Sequence, residues 1–252
     1  MGLIAASVAA QPLLAIEPLY TIPLNNRLPD GFELLEPQDG KNLPLGSPGS
    51  GLSGKPDSVS FDNTTATGMG IGKTTSPNTG RVIVYNGPSE NLQSISSFTV
   101  CGWLKTDELN GSAARLVTSR TGANQQGFDV VFQFGCLQLY LDGQKLSLGS
   151  KFILDGEWAF FAVTADLPNN LARCYSGTSD GEIVLLAETP LDSNTQISQK
   201  GARLIIGNVF PGRDRPFKGF LDRIRVFAVE SGSEGNLSKS DLEAIRFADL
   251  KR

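Results

Sequence analysis

Four segments in a fixed order most constrain what this chain can fold into. Residues 98–105 (FTVCGWLK), 156–166 (GEWAFFAVTAD), 203–208 (RLIIGN) and 216–227 (PFKGFLDRIRVF) follow one another, and a helical pattern then runs from Ser238 to Leu250. The first three are short apolar or alternating runs, and the fourth is a glycine-punctuated strand with polar residues on one side. Within the first, Phe98, Val100, Gly102 and Leu104 share one face, and Thr99, Cys101, Trp103 and Lys105 the other. Apolar residues on both faces predict a sheet covered on each side. Ser238 is placed to cap the final helix with Asp241 three residues on, and Leu242, Ile245 and Phe247 supply its apolar side.

Further strands are expected at residues 81–85, 114–119, 128–134, 136–142, 158–166, 171–175 and 183–188. Asn86-Gly87 and Asp142-Gly143 are turn signals of the kind that close hairpins. With 28 Gly and 14 Pro among 252 residues, many strands joined by turns are favoured over helices. That length suits a single large β-sandwich, and no repeat of 20 to 50 residues recurs.

These segments resemble the "FTVSGWVK", "GxWHHVAVTYD", "LxIGN" and "FxGxIDDVRIY" strands, and the "LSxxEIxxL" helix, of laminin-G-like members of the concanavalin-A-like lectin/glucanase superfamily. Ser58-Val59-Ser60-Phe61-Asp62-Asn63 resembles the opening "ALxFDG" strand, with Asn63 in place of the usual Gly. The resemblance covers roughly residues 52 to 250. It implies an all-β, two-sheet antiparallel jelly-roll sandwich with a short C-terminal helix.

Composition excludes much chemistry. Histidine is absent, so neither a Ser-His-Asp nor a Cys-His pair, nor a His-ligated metal, can be built. Cys101, Cys136 and Cys174 are far apart and lack CxxC spacing, and are expected to pack as small apolar residues on strands. The Glu-x-Asp-x-x-Glu cluster by which some superfamily members cleave β-glucans has no counterpart. Asp180-Gly181-Glu182, the nearest carboxylate pair, reads as a solvated turn. Gly68-Met69-Gly70-Ile71-Gly72-Lys73-Thr74 ends like a phosphate loop, but Thr67 stands where that motif needs glycine. The net charge of -4 offers no field for nucleic acid, and no run approaches the apolar length of a membrane span. The chain reads as a non-enzyme.

Residues 1–15 (MGLIAASVAAQPLLA) form a small apolar stretch with two A-x-A-like sites, read as a weak secretory signal or an apolar arm. Residues 16–51 form a Pro/Gly-rich extension and linker, and residues 52–252 the laminin-G-like domain. A secreted or envelope-exposed location follows from this reading.

Two kinds of site are expected. The resemblance implies one structural Ca2+ between the opening and closing strands, with Asp222 in the "GxIDxVRI" position and Asp62 or Asp57 approaching from the first strand; a salt bridge from Asp222 to Arg223, Arg225 or another basic neighbour is the other reading. Carbohydrate is the ligand class implied, and it needs an exposed aromatic with planar polar groups around it. Trp103 and Trp158 occupy core positions, so Tyr140 and Tyr175 are the aromatic candidates. Asn124, Gln125, Gln126 and Asp129, with Arg213, Asp214 and Arg215, are the polar ones. A second reading, from another class, is a structural or adhesive protein that binds protein partners or itself through its N-terminal extension.

Overall fold

The computed structural model describes residues 16–22, 28–35, 59–60, 82–85, 94–106, 113–120, 127–142, 144–148, 156–198, 203–208, 217 and 219–250. Residues 1–15, the glycine-rich 68–74 stretch and the Asn86-Gly87 turn lie outside them.

In chain order the strands are β1 (Tyr20–Ile22), β2 (Phe32–Leu35), β3 (Val59–Ser60), β4 (Val82–Tyr85), β5 (Ser94–Ile95), β6 (Ser97–Lys105), β7 (Ala114–Thr118) and β8 (Phe128–Gln133). There follow β9 (Cys136–Leu141), β10 (Gln144–Ser147), β11 (Ala159–Asp166), β12 (Leu171–Thr178), β13 (Val184–Pro190), β14 (Ile197–Ser198), β15 (Ile205–Ile206), β16 (Phe220–Val229) and α1 (Lys239–Leu250). One antiparallel sheet runs β1-β16-β6-β11-β12-β13, with β3 also on β16, and the other runs β10-β9-β8-β7-β15-β4-β2. β14 and β5 form a small two-stranded sheet.

The alternation read in β6 holds. Phe98, Val100 and Leu104 enter the core between the sheets, where Phe98 stacks on Phe128 of the opposite sheet at 4.6 Å between centroids. Phe161, Val163, Val226, Leu116, Val130, Leu139 and Ile206 fill the same layer. Full burial of each large side chain is worth about 1.5–3 kcal/mol. Cys101 and Trp103 point the other way, beneath α1, with Phe160, Tyr175, Phe227, Leu242 and Ile245. Gly102 is required at its position: a Cβ there would lie 2.7 Å from Ile224 Cδ1 and 3.1 Å from the carbonyl oxygens of Asp222 and Arg223. At that point β16 slips register against β6 between Asp222 and Arg225, and Arg223 has φ +48°.

Ser238 caps α1 as expected: its Oγ accepts from Asp241 N–H (3.3 Å) while its own N–H donates to the Asp241 carboxylate (3.0 Å). Phe247 departs from expectation, being half exposed, and Arg246 and Asp249 are buried with Leu242 and Ile245. At 3.6 residues per turn Phe247 sits about 140° around the helix from Leu242, off the packed face. Tyr175 is the second correction. It is buried under the helix rather than exposed, because its register opposite Ala162 fixes it on the covered face. Trp103 and Trp158 are buried as read. All three cysteines are free thiols on strands, with Cys101 and Cys174 buried and Cys136 partly exposed.

Several strands differ in extent from the sequence pattern. The closing strand is Phe220–Val229 rather than 216–227, and β15 keeps only two residues of the expected 203–208. Two short strands arise within residues 16–51: β1 pairs with β16 and β2 with β4, so these segments complete edges of the chain's own sheets. The turn after β9 closes a hairpin, with Leu141 opposite Gln144 and Asp142 at φ +43°.

Candidate functional site on the outer face of the second sheet

The helix covers the first sheet, and the outer face of the second carries a polar and aromatic row in which Asp129, Thr118 and Gln138 are buried, Tyr140 is partly exposed and Lys145 is exposed. Along β8, Phe128, Val130 and Phe132 enter the core, so Asp129 and Val131 face outward; along β9, Leu137, Leu139 and Leu141 enter it, so Gln138 and Tyr140 face outward. Register brings these together. Asp129 is the direct partner of Tyr140, Tyr140 of Lys145 on β10, and Asp129 of Thr118 on β7. A second row joins Gln138, Val131 and Arg115.

Arg115 and Thr118 are three residues apart and would ordinarily face opposite ways. A bulge between Arg115 and Val117 puts both Leu116 and Val117 in the core and both polar residues on the outer face. That bulge builds a charge cluster. Asp129 is 1% exposed, and its carboxylate accepts from Arg120 Nη1 at 2.6 Å, lies 3.3 Å from Arg115 Nε, and takes the Thr118 hydroxyl on its other oxygen. Thr118 Oγ1 in turn accepts the Arg120 backbone N–H at 3.1 Å. The Arg115 guanidinium stands over the Tyr140 ring, 5.6 Å from its centroid, where the ring's negative face attracts it. Gln138 is 7% exposed, and its buried Oε1 has no hydrogen-bond partner among the described residues.

Of the sequence candidates for the ligand, the structure therefore joins Asp129 and Tyr140 as cross-strand neighbours. Asn124, Gln125, Gln126, Arg213, Asp214 and Arg215 lie outside the described residues. Arg115, Arg120, Gln138 and Lys145 were not singled out. The sequence signal for the first two is an arginine within one expected strand and another just after it, ahead of an Asp near the start of the next.

The region assigned to calcium lies on the first sheet. Asp222, on β16, is buried, and β3 pairs with the two residues before it; Asp57 and Asp62 lie outside the described residues. Burial alone would lower the pKa of Arg225, but the hydrogen bonds and charge of Asp249, joined by the charge of Asp222, hold it above its ordinary value. Among the described residues no group of three His, Cys, Asp or Glu side chains is arranged to hold a metal. No described helix is long and apolar enough to cross a membrane.

A two-sheet antiparallel sandwich with a short C-terminal helix against one face is consistent with a jelly roll. The chain belongs to the concanavalin A-like lectin/glucanases superfamily, whose model matches residues 78–233. No curated protein sequence matches it. Among solved structures it is similar to domain 4 of an extracellular GH43 arabinanase from Geobacillus stearothermophilus in complex with arabinotriose (16% identity, 84% of this chain and 87% of that one, TM-score 0.54). It is also similar to the CBM40 module of the Ruminococcus gnavus IT-sialidase bound to α2,3-sialyllactose (17%, 75% and 92%, TM-score 0.50). A third is the heptameric SAP-like pentraxin of Limulus polyphemus (15%, 74% and 80%, TM-score 0.50). At these identities the likeness is one of fold.

Proposed function

We propose that this protein is a non-catalytic carbohydrate-binding module that works outside the cell, with the sugar lying against the outer face of the second sheet. The observation that carries this reading is the row Lys145, Tyr140, Asp129 and Thr118. It sets a partly exposed aromatic ring between an ammonium group and a fixed guanidinium–carboxylate network. An aromatic face stacks on sugar C–H patches while planar charged groups bond hydroxyls, which is the division of labour a shallow sugar site needs. Two of the similar solved structures hold an oligosaccharide, arabinotriose in one and α2,3-sialyllactose in the other. The sequence has no Glu-x-Asp-x-x-Glu cluster of the kind that cleaves β-glucans, which supports recognition without bond cleavage.

A structural Ca2+ at Asp222 belongs to the same reading. Asp222, with Asp57 and Asp62 from the opening segment, would supply the oxygen ligands. The test is binding of the full chain to a broad glycan and polysaccharide array, first with calcium and then with chelator. Selective binding is expected, with loss in chelator if the cation is needed. Failure to bind any glycan in either condition overturns the carbohydrate reading, and binding indifferent to chelator overturns a calcium requirement.

A further inference from the structure

We infer that the ligand of this face is an acidic glycan, whose carboxylate or sulfate group is taken by Arg120 and Lys145 beside Tyr140. The inference rests on the carbohydrate reading above and narrows it.

The protein as a whole is acidic, with a net charge of -4. Among the described residues around Tyr140, the exposed charge on the outer face has the opposite sign. The Asp129 side chain is 1% exposed, beneath Arg115 at 12% and Arg120 at 18%, so a ligand reaching the face meets the guanidiniums and not the carboxylate. Both oxygens of Asp129 are already engaged, one by Thr118 and the other by the arginines. The nearby Asp142 carboxylate accepts the Gly127 N–H at 2.6 Å, which ties it to the backbone at the end of the sheet. Glu33 faces the same side on β2, four strands from β8 and hence about 19 Å away at ~4.8 Å per strand.

Arg120 is the natural anchor. Among the described residues its guanidinium donates one hydrogen bond, from Nη1 to Asp129, which leaves Nη2 and Nε for a ligand. Asp129 holds the guanidinium and the Thr118 hydroxyl accepts the Arg120 backbone N–H, so part of the side-chain freedom is already spent before binding. The planar fork of arginine matches a carboxylate or sulfate edge. Lys145, exposed on β10, adds a second cation on the other side of Tyr140.

The experiment compares matched polymers on the full chain by calorimetry: polygalacturonate against its methyl ester, and dextran sulfate against dextran. Each is titrated into the wild type and into Arg120→Gln and Lys145→Gln. The expected result is a preference of about tenfold or more for the charged member of one pair, on the scale of one charge-assisted hydrogen bond. Which pair responds tells carboxylate from sulfate. That preference should weaken with added salt and fall severalfold in each variant. Lys145 is exposed, so Lys145→Gln keeps the test decisive even if Arg120→Gln folds poorly. Equal affinity for charged and neutral polymers, or a preference untouched by Lys145→Gln and by any folded Arg120→Gln, overturns the inference while the carbohydrate reading stands. No binding here or on the glycan array overturns both.

Discussion

Arg225 and Asp249 form a two-bond ion pair beneath the C-terminal helix: Nη2 and Nη1 of the guanidinium lie 2.6 and 2.9 Å from the two carboxylate oxygens. The same carboxylate accepts Trp103 Nε1–H at 3.0 Å, and Arg223 donates to the Asp249 carbonyl at 2.7 Å. A strand of the first sheet, its neighbour and the last turn of α1 are thus joined through one buried acid.

Asp249→Ala should therefore cost about 3–5 kcal/mol of unfolding free energy, because it strands a guanidinium in a buried site. Asp249→Asn, which keeps an acceptor for Trp103 but loses the charge, should cost less. Denaturant unfolding measures both. A loss under about 1 kcal/mol for the alanine variant would show that the helix is held by its apolar face alone.

A second acid gives a pH signature. Burial would raise the pKa of Asp166, but hydrogen bonds from the Asn169 side chain (2.9 Å), the Ser233 hydroxyl (2.8 Å), the Asn169 backbone N–H (3.3 Å) and the Asn236 amide (2.9 Å) hold it below its ordinary value. A carboxyl depressed in the folded state stabilises above its unfolded pKa of about 3.9, and that stabilisation is lost as pH falls through the folded value. The stability gap between wild type and Asp166→Asn should be constant from neutral pH to about pH 5 and should shrink below about pH 4. A gap independent of pH would contradict the assignment.

The thiols separate by burial. Burial pushes the Cys101 thiol up to about 12, Arg225 opposing and Asp249 adding to the shift, and it raises Cys174 as well. Reaction goes through the thiolate, so neither should react in the native protein near pH 8. Cys136, at the start of β9 and partly exposed, should be the single thiol that a disulfide reagent titrates before denaturation, with three titrating afterwards. Two or more native equivalents would mean that the strands around Cys101 or Cys174 open readily.

How much of this was legible in the sequence follows from which forces are local. β6, β11 and the capped helix announce themselves through period and capping, since their side chains alternate between two apolar layers or repeat on one helical face. β1 and β2 are three and four residues long amid prolines, too short for a period, and their pairing depends on edges that other strands supply. Phe247 misled because hydrophobicity was counted without its angle, and Tyr175 because its face is set by register against β11. The site shows the same limit. Asp129 and Tyr140 were singled out separately, but their pairing is a matter of register, and Arg115 joins them only through a bulge that shifts the parity of β7.

The ring of Tyr140 is where the carbohydrate reading is most exposed to test. It is half buried, receives Arg115 on its face, and has charged or polar partners on both neighbouring strands. Tyr140→Ala removes both the stacking surface and the support of the guanidinium, whereas Tyr140→Phe keeps the ring and loses the hydroxyl. The alanine variant should lose about tenfold or more in affinity for whichever glycan the wild type selects. It should lose only about 0.5–1 kcal/mol in stability from the cation–π contact, apart from any packing change. The phenylalanine variant should retain most of the affinity if stacking dominates, and should fall with the alanine variant if the hydroxyl is the principal contact. Calorimetry on the two variants decides between these, and glycan binding unchanged in Tyr140→Ala would move the site off this face of the sheet altogether.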